Sequence, residues 1–105
     1  MIPGMTEEGP DFLWEAQMGF TRRELLRGLP RAVEPYEIRD PAVNPVEISQ
    51  GNRIVSLYTG AEGFRSIASM RIPVMPVRLE FRGFNEAEYE SFLGRFRTYL
   101  QKGGG

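Results

Sequence analysis

The sequence contains no cysteine and no histidine among its 105 residues. Without cysteine, disulfides, thiolate metal sites and cysteine nucleophiles are excluded. Without histidine, the chain lacks the commonest general base and the commonest transition-metal ligand, and a histidine-dependent catalytic triad is impossible within it. No glycine-rich phosphate loop or metal-ligand spacing occurs either. We therefore expect a protein that is not an enzyme and that uses no cofactor and no metal.

Long apolar runs and a strong net charge are also missing. No apolar stretch is long enough to span a bilayer, and the N-terminus lacks the basic and apolar regions of a signal peptide. The net charge is −1, so no overall electrostatic attraction draws the chain to nucleic acid or membranes. Twelve of the thirteen basic residues are arginine, which is typical of GC-rich genomes. We expect a bacterial, cytoplasmic protein, with neither a membrane nor nucleic acid as its partner.

The length predicts a single domain, because a chain of this size buries roughly two-thirds of its unfolded surface and can build one core. Residues 1–10 are rich in proline and glycine, which indicates a flexible N-terminal tail. Residues 11–102 form the predicted α+β domain, and residues 103–105 form a flexible glycine tail.

A first helix is predicted from Thr21, which forms a capping box with Glu24. Phe20 before the cap and Leu25 in the second turn form the hydrophobic staple that often accompanies such a box. Pro30 disfavours helical geometry at the residue before it, so we expect the helix to span residues 22–29.

A second helix is predicted from Asn85, which forms another capping box with Glu88. Apolar residues then recur at intervals of three and four positions, and Gly103 is a natural helix stop. Gly94 interrupts this pattern, and we interpret it as a point where the helix approaches a strand closely.

The residues between the helices alternate as strands do, with turn residues between them. Pro73 and Pro76 predict a break with an edge or crossing segment. We expect about four mainly antiparallel strands with two helices on one face, a two-layer α+β sandwich of order α-β-β-β-β-α. The strand-like segments are residues 36–39, 46–49, 53–59, 64–70 and 77–82.

The segment before the first helix is open to two interpretations. Asp11 can cap a short helical turn, or residues 11–19 can pack as an extended segment. Trp14 within it is either a core side chain or an exposed anchor for a partner. The core interpretation is preferred, because tryptophan is highly buried on average.

Apolar residues on both faces of the predicted sheet indicate a contact surface. Val55 and Leu57 point opposite to Ile54 and Tyr58, so both faces need cover, from the Trp14 segment or from a second copy of the protein. The partner is then another protein or a second copy of the chain. The candidate contact residues are Trp14, Val55, Leu57, Ile67, Arg78 and Arg82.

Arginines offer an alternative, a site for an anion or an RNA backbone. Because Glu80 lies between Arg78 and Arg82, a surface of cross-strand ion pairs is the competing interpretation. The sheet arginines are Arg53, Arg65, Arg71, Arg78 and Arg82, and the helix arginines are Arg22, Arg23, Arg27 and Arg31.

The terminal residues Gly103, Gly104 and Gly105 resemble the tails of ubiquitin-like sulfur carriers. In those proteins the unbranched tail enters a narrow tunnel, and its carboxylate is adenylated and then thiolated. The resemblance implies a carrier or conjugation-type function. The carriers are β-grasp domains whose tail follows a strand, whereas the tail here follows a predicted helix.

The last third of the chain resembles a group of small uncharacterised proteobacterial proteins with a Phe-rich helix and a Gly-rich end. This resemblance implies no activity and no functional residues. The sequence therefore favours a non-enzymatic protein–protein interaction domain, with homodimerisation open. The matching residues are Ile72, Pro73, 77–81, Gly83, Phe92, Phe96 and 101–105.

Overall fold

The computed structural model describes residues 9–100, so the predicted tails lie outside it apart from Gly9 and Pro10. The described part of the chain is an α+β domain with two helices and a six-stranded antiparallel sheet that does not close. Its elements are β1 (Phe12–Met18), α1 (Arg22–Ala32), β2 (Glu37–Ile38), β3 (Val46–Gln50), β4 (Arg53–Thr59), β5 (Gly63–Ile67), β6 (Met70–Arg82) and α2 (Glu86–Tyr99).

The strands follow the order β1-β6-β4-β3-β2, and β5 pairs with the first half of β6. The sheet has six strands where about four were predicted, and it departs from the prediction in two places. The Trp14 segment forms an edge strand, with Phe12 opposite Phe81 and Met18 opposite Met75. The chain also continues as strand through residues 70–82, where a break was predicted.

The two prolines of β6 are tolerated because each one lies just past the end of the strand that its nitrogen would face. The carbonyl of Pro76 accepts from the N–H of Gly60 at 2.9 Å, so this edge of β6 faces β4 and β5. Position 76 has no N–H to offer there, and residues 60–62 separate β4 from β5 at this point. Pro73 lies an odd number of positions from Pro76, so its backbone nitrogen points to the opposite edge of β6. The neighbour on that edge is β1, which pairs only with residues 75–81 and has ended before Pro73.

One face of the sheet carries the hydrophobic core. Val55 and Leu57 of β4 are fully buried there. Both helices contribute to the same core, α1 through Leu25 and Leu29, and α2 mainly through Phe96. Because β-strand side chains alternate, the residues between these buried positions lie on the outer face of the sheet.

Both helices begin at the predicted capping boxes. The Thr21 side chain accepts from the N–H of Glu24, and Asn85 accepts from the N–H of Glu88. Helix α1 continues past Pro30 to Ala32, three residues further than predicted. The buried side chains at the end of the helix hold this last turn in place and offset the hydrogen bond that proline cannot donate.

Arg22 joins the start of α1 to the end of β4. Its guanidinium donates to Thr59 Oγ1 at 2.6 Å and to the carbonyls of Pro41 and Val43 at 2.9 and 3.1 Å. Its backbone N–H donates to Glu62 Oε2 at 2.8 Å, next to the start of β5. This arginine, which the sequence offered for anion binding, is therefore used within the fold.

β5 and residues 70–74 of β6 form a two-stranded antiparallel hairpin, which we call the ribbon. No ribbon residue belongs to the core or packs against it as a partly buried apolar side chain. β6 has 13 residues, about 43 Å of extended chain, and only its second half lies between β1 and β4. The ribbon extends past the helices, which the predicted two-layer arrangement did not include.

Candidate interaction surface

The predicted contact residues do not lie on one surface. Val55 and Leu57 are 0% exposed, so the prediction that they form a contact surface is wrong. The sequence showed that they point opposite to Ile54 and Tyr58, but it did not show which side the helices cover. The helices cover the side of Val55 and Leu57, and Ile54 and Tyr58 lie half-buried on the outer face.

Trp14 is half-buried on the helix side of β1. Its ring packs edge-on against Phe96 of α2, with ring centroids 5.8 Å apart. The indole therefore helps to hold α2 on the sheet, and its remaining surface borders a depression beside the ribbon.

Arg78 and Arg82 lie on the outer face, and both pair with the single carboxylate of Glu80. The guanidinium of Arg78 is 3.1 Å from Glu80, and that of Arg82 is 3.4 Å from it. The pairs run along β6, because residues two apart share a face, rather than across strands as predicted. Arg78 also stacks on the Tyr58 ring at 4.5 Å. Both guanidinium groups are therefore already engaged within the sheet, although one carboxylate offsets only one of their two charges.

The other sheet arginines are dispersed. Arg53 pairs with Glu88 of α2 at 3.2 Å. Arg71 stacks on Phe64 within the ribbon, 4.3 Å from the ring centroid. The Arg65 side chain has no hydrogen bond, ion pair or ring contact with any residue in the range 9–100. The predicted arginine cluster on the sheet therefore does not form.

Three of the six large apolar side chains that are exposed within residues 9–100 lie on the ribbon, and the other three, Leu13, Val43 and Tyr99, are dispersed over other parts of the chain. Phe64 is 59% exposed, Ile67 49% and Met70 61%. Of these, Ile67 was predicted as a contact residue, and Met70 was not. A strand end with alternating polar and apolar residues has the same sequence pattern whether or not the core covers it. Nothing in the sequence therefore marked Met70 as exposed.

The two faces of the ribbon differ. Ile67 lies opposite Met70, and Arg65 lies opposite Ile72, so these four side chains share one face. Phe64 and Arg71 share the other face. The turn between the strands places Ala68 at φ 55°, a left-handed conformation that is uncommon for residues other than glycine.

Two depressions lie at the base of the ribbon, and Ile72 lines both of them. The larger one has a volume of about 360 Å³, and the smaller one about 100 Å³. They share the lining residues Gln17, Gly19 and Ile72 and therefore adjoin; together we call them the trough. Its apolar floor is formed by Trp14, Met18, Phe20, Ile72 and Leu100.

One arginine lines each depression of the trough, Arg97 of α2 the larger and Arg65 of β5 the smaller. Neither side chain makes a hydrogen bond, ion pair or ring contact within residues 9–100. No aspartate or glutamate in this range lines the trough. It therefore combines an apolar floor with two arginines that have no acidic partner in the described chain.

A separate cleft of about 480 Å³ lies between the ends of the helices and the β3–β4 turn. Its arginines are compensated, since Arg53 pairs with Glu88 and Arg95 pairs with Glu34 at 3.0 Å. Burial raises the pKa of the Tyr36 hydroxyl at this cleft, with a smaller opposing effect of Arg53. Compensated charges and a neutral tyrosine give this cleft no clear preference for an anion or a cation.

Within residues 9–100, no helix is long and apolar enough to cross a membrane, and no group of three or more acidic residues comes together as a metal site. The glycines 103–105 lie outside the described residues, and the carrier resemblance stays a prediction. The resemblance to proteobacterial proteins stays a prediction as well. Comparisons with protein-family models, curated proteins and solved structures give no match for this chain.

Proposed function

We propose that this chain is a non-enzymatic protein–protein interaction domain, and that the ribbon is its contact surface. The observation that carries the proposal is the exposure of Phe64, Ile67 and Met70 on a hairpin that the core does not need. Full burial of such a side chain contributes about 1.5–3 kcal/mol to stability. Because these three side chains are about half exposed, roughly half of that free energy is still available from burial against a partner. A hairpin that only connected two strands would gain nothing from carrying them in water.

The charges of the ribbon favour a different protein over a second copy of this chain. The ribbon carries Arg65 and Arg71 and no acidic residue. Two ribbons that paired with each other would bring these like charges close together, which opposes association. A partner with acidic groups would meet no such repulsion.

Site-specific photocrosslinking in the cell of origin tests the proposal. A benzophenone amino acid replaces Ile67 or Met70 in the full chain, and a matched control carries it at Arg27, which is exposed on α1. We expect the ribbon positions to give a discrete protein adduct that the α1 position does not give. Equal patterns from all three positions, or no adduct from the ribbon, would refute the proposal.

The same experiment addresses the alternatives. An adduct of twice the chain's mass would identify a homodimer. Nuclease-sensitive adducts would point to RNA bound by the arginines. A chain that lacks Gly103–Gly105 tests the carrier function, because a carrier loses its partner enzyme with its tail and an interaction domain keeps its ribbon adducts.

A further inference from the structure

We propose that the trough binds an extended, acidic segment of the partner protein, an inference that rests on the proposed function. A large apolar side chain of that segment enters the floor of the trough. Aspartate or glutamate residues on either side of it pair with Arg97 and Arg65. The segment then continues along the Ile67 face of the ribbon.

The shape of the trough fits one or two large side chains. A volume of about 360 Å³ over an apolar floor is within the range of small-ligand pockets. Met18 lines this floor, and methionine adapts to side chains of different shape. Arg65 and Ile72 form one cross-strand pair, and Ile67 and Met70 form the next pair on the same face. An apolar track therefore connects the floor to the tip of the ribbon.

The two arginines of the trough favour a bound segment that carries negative charge. Arg97 and Arg65 are both exposed and lack an acidic partner within residues 9–100. Arginine binds a carboxylate through two parallel hydrogen bonds, so each can hold one acidic side chain in a defined position. A basic segment would be repelled by both arginines.

Nucleic acid fits this surface less well than a peptide. The chain has a net charge of −1, and only two free arginines border the trough. Single-strand binders stack bases on exposed aromatic rings. Here the Trp14 ring already packs against Phe96, and Arg71 covers the Phe64 ring. Aliphatic side chains such as Ile72 and Leu100 suit an apolar peptide side chain.

Selection from a random-peptide display library tests the inference even though the partner is unidentified. The full chain is immobilised, and enriched peptides are sequenced and measured by fluorescence anisotropy. We expect aspartate and glutamate on both sides of a large apolar residue. In the double variant R65E/R97E, we expect roughly tenfold weaker binding of these peptides, and selection on it to enrich lysine and arginine instead.

The control is R23E/R27E, which changes the net charge equally on the exposed side of α1 and should leave binding unchanged. No enrichment, enrichment without acidic residues, or equal binding by R65E/R97E would overturn the inference. Tighter binding of a short single-stranded RNA than of the selected peptides would also overturn it. A gain of about tenfold or more in peptide affinity on deletion of residues 101–105 would do the same, because the chain's own end would then be the occupant of the trough. A ribbon crosslink combined with any of these results would leave the proposed function intact.

Discussion

Gly83 offers the sharpest test of the backbone geometry, because alanine there is opposed by both conformation and space. Its φ is +81°, in the region that favours glycine, and an added Cβ would overlap the carbonyl oxygen of Asn52. That Cβ would also lie 3.1 Å from the Asn52 carbonyl carbon, which is backbone and cannot rotate away. The N–H of Gly83 donates to Asp11 Oδ2 at 2.7 Å, so a shift also strains this bond.

The expected cost of Gly83→Ala follows from these two effects. The left-handed conformation costs about 1–2 kcal/mol for alanine. The displacement of packed backbone costs about 1–3 kcal/mol more. A total of about 2–5 kcal/mol is a large part of the stability of a small domain and lowers the Tm by at least about 8 °C.

Gly94→Ala is the matched control, because it makes the same chemical change where nothing opposes it. No atom lies within 4 Å of an added Cβ at Gly94, so the predicted close approach to a strand is wrong. Alanine in a helix interior is about 1 kcal/mol more favourable than glycine, so this variant should be stabilised.

Urea unfolding, followed by Trp14 fluorescence and by circular dichroism, measures both variants. We expect a lower midpoint for Gly83→Ala and a higher one for Gly94→Ala, with equal slopes. If Gly83→Ala changed the free energy of unfolding by less than about 1 kcal/mol, the clash and strain argument would fail. Destabilisation by Gly94→Ala would show an unrecognised contact on that face of α2.

Three further perturbations test other parts of the structure. Arg22→Ala should cost about 1–3 kcal/mol, since it leaves Thr59 and the carbonyls of loop 40–44 without their donor, and faster hydrogen exchange in that loop would check it. Ala68→Gly should stabilise the ribbon by up to about 1 kcal/mol through relief of the positive φ, which slower exchange of ribbon amides would show. Burial raises the pKa of Tyr36 above its ordinary value of 10.0, so its neutral form stabilises the fold below that pH. That contribution is lost as pH rises through the higher folded pKa. Urea titrations at successive pH values should therefore show a smaller loss of stability at alkaline pH for Tyr36→Phe than for the unchanged chain.

Local signals in the sequence were enough to place the helix starts and the central hairpin. Both capping boxes form as predicted, because they depend on residues three positions apart. The β3–β4 turn also forms, with Gly51 at φ +61° between the paired residues Gln50 and Arg53. Such features do not depend on contacts between distant parts of the chain.

Signals that depend on neighbouring strands were misread. Whether a proline breaks a strand depends on the edge its missing N–H would face, and the sequence does not show which edge of β6 is open at Pro73. Trp14 and its neighbours form a strand because β6 offers a free edge along residues 75–81. The segment's own residues left a short helical turn and an extended segment almost equally open.

The candidate site was predictable only in part, for the same reason. Alternation separated Val55 from Ile54, but only the positions of the helices decide which of the two is buried. Ile67 was identified as an apolar residue in excess of the core's needs, and its exposure agrees with that. The trough could not be foreseen, because residues far apart in the chain, Met18, Ile72 and Leu100, form its floor.

The separation of ribbon and core bears on how the contact surface can change. The core side chains come from both helices and from the strands over which they pack, and none of them lies in residues 63–74. Substitutions at Phe64, Ile67 or Met70 therefore remove little buried contact, and exposed positions usually change stability by less than about 0.5 kcal/mol. The proposed contact surface can therefore change its side chains while the fold is maintained. Val55 and Leu57, by contrast, cannot exchange an apolar side chain for a polar one without loss of the core.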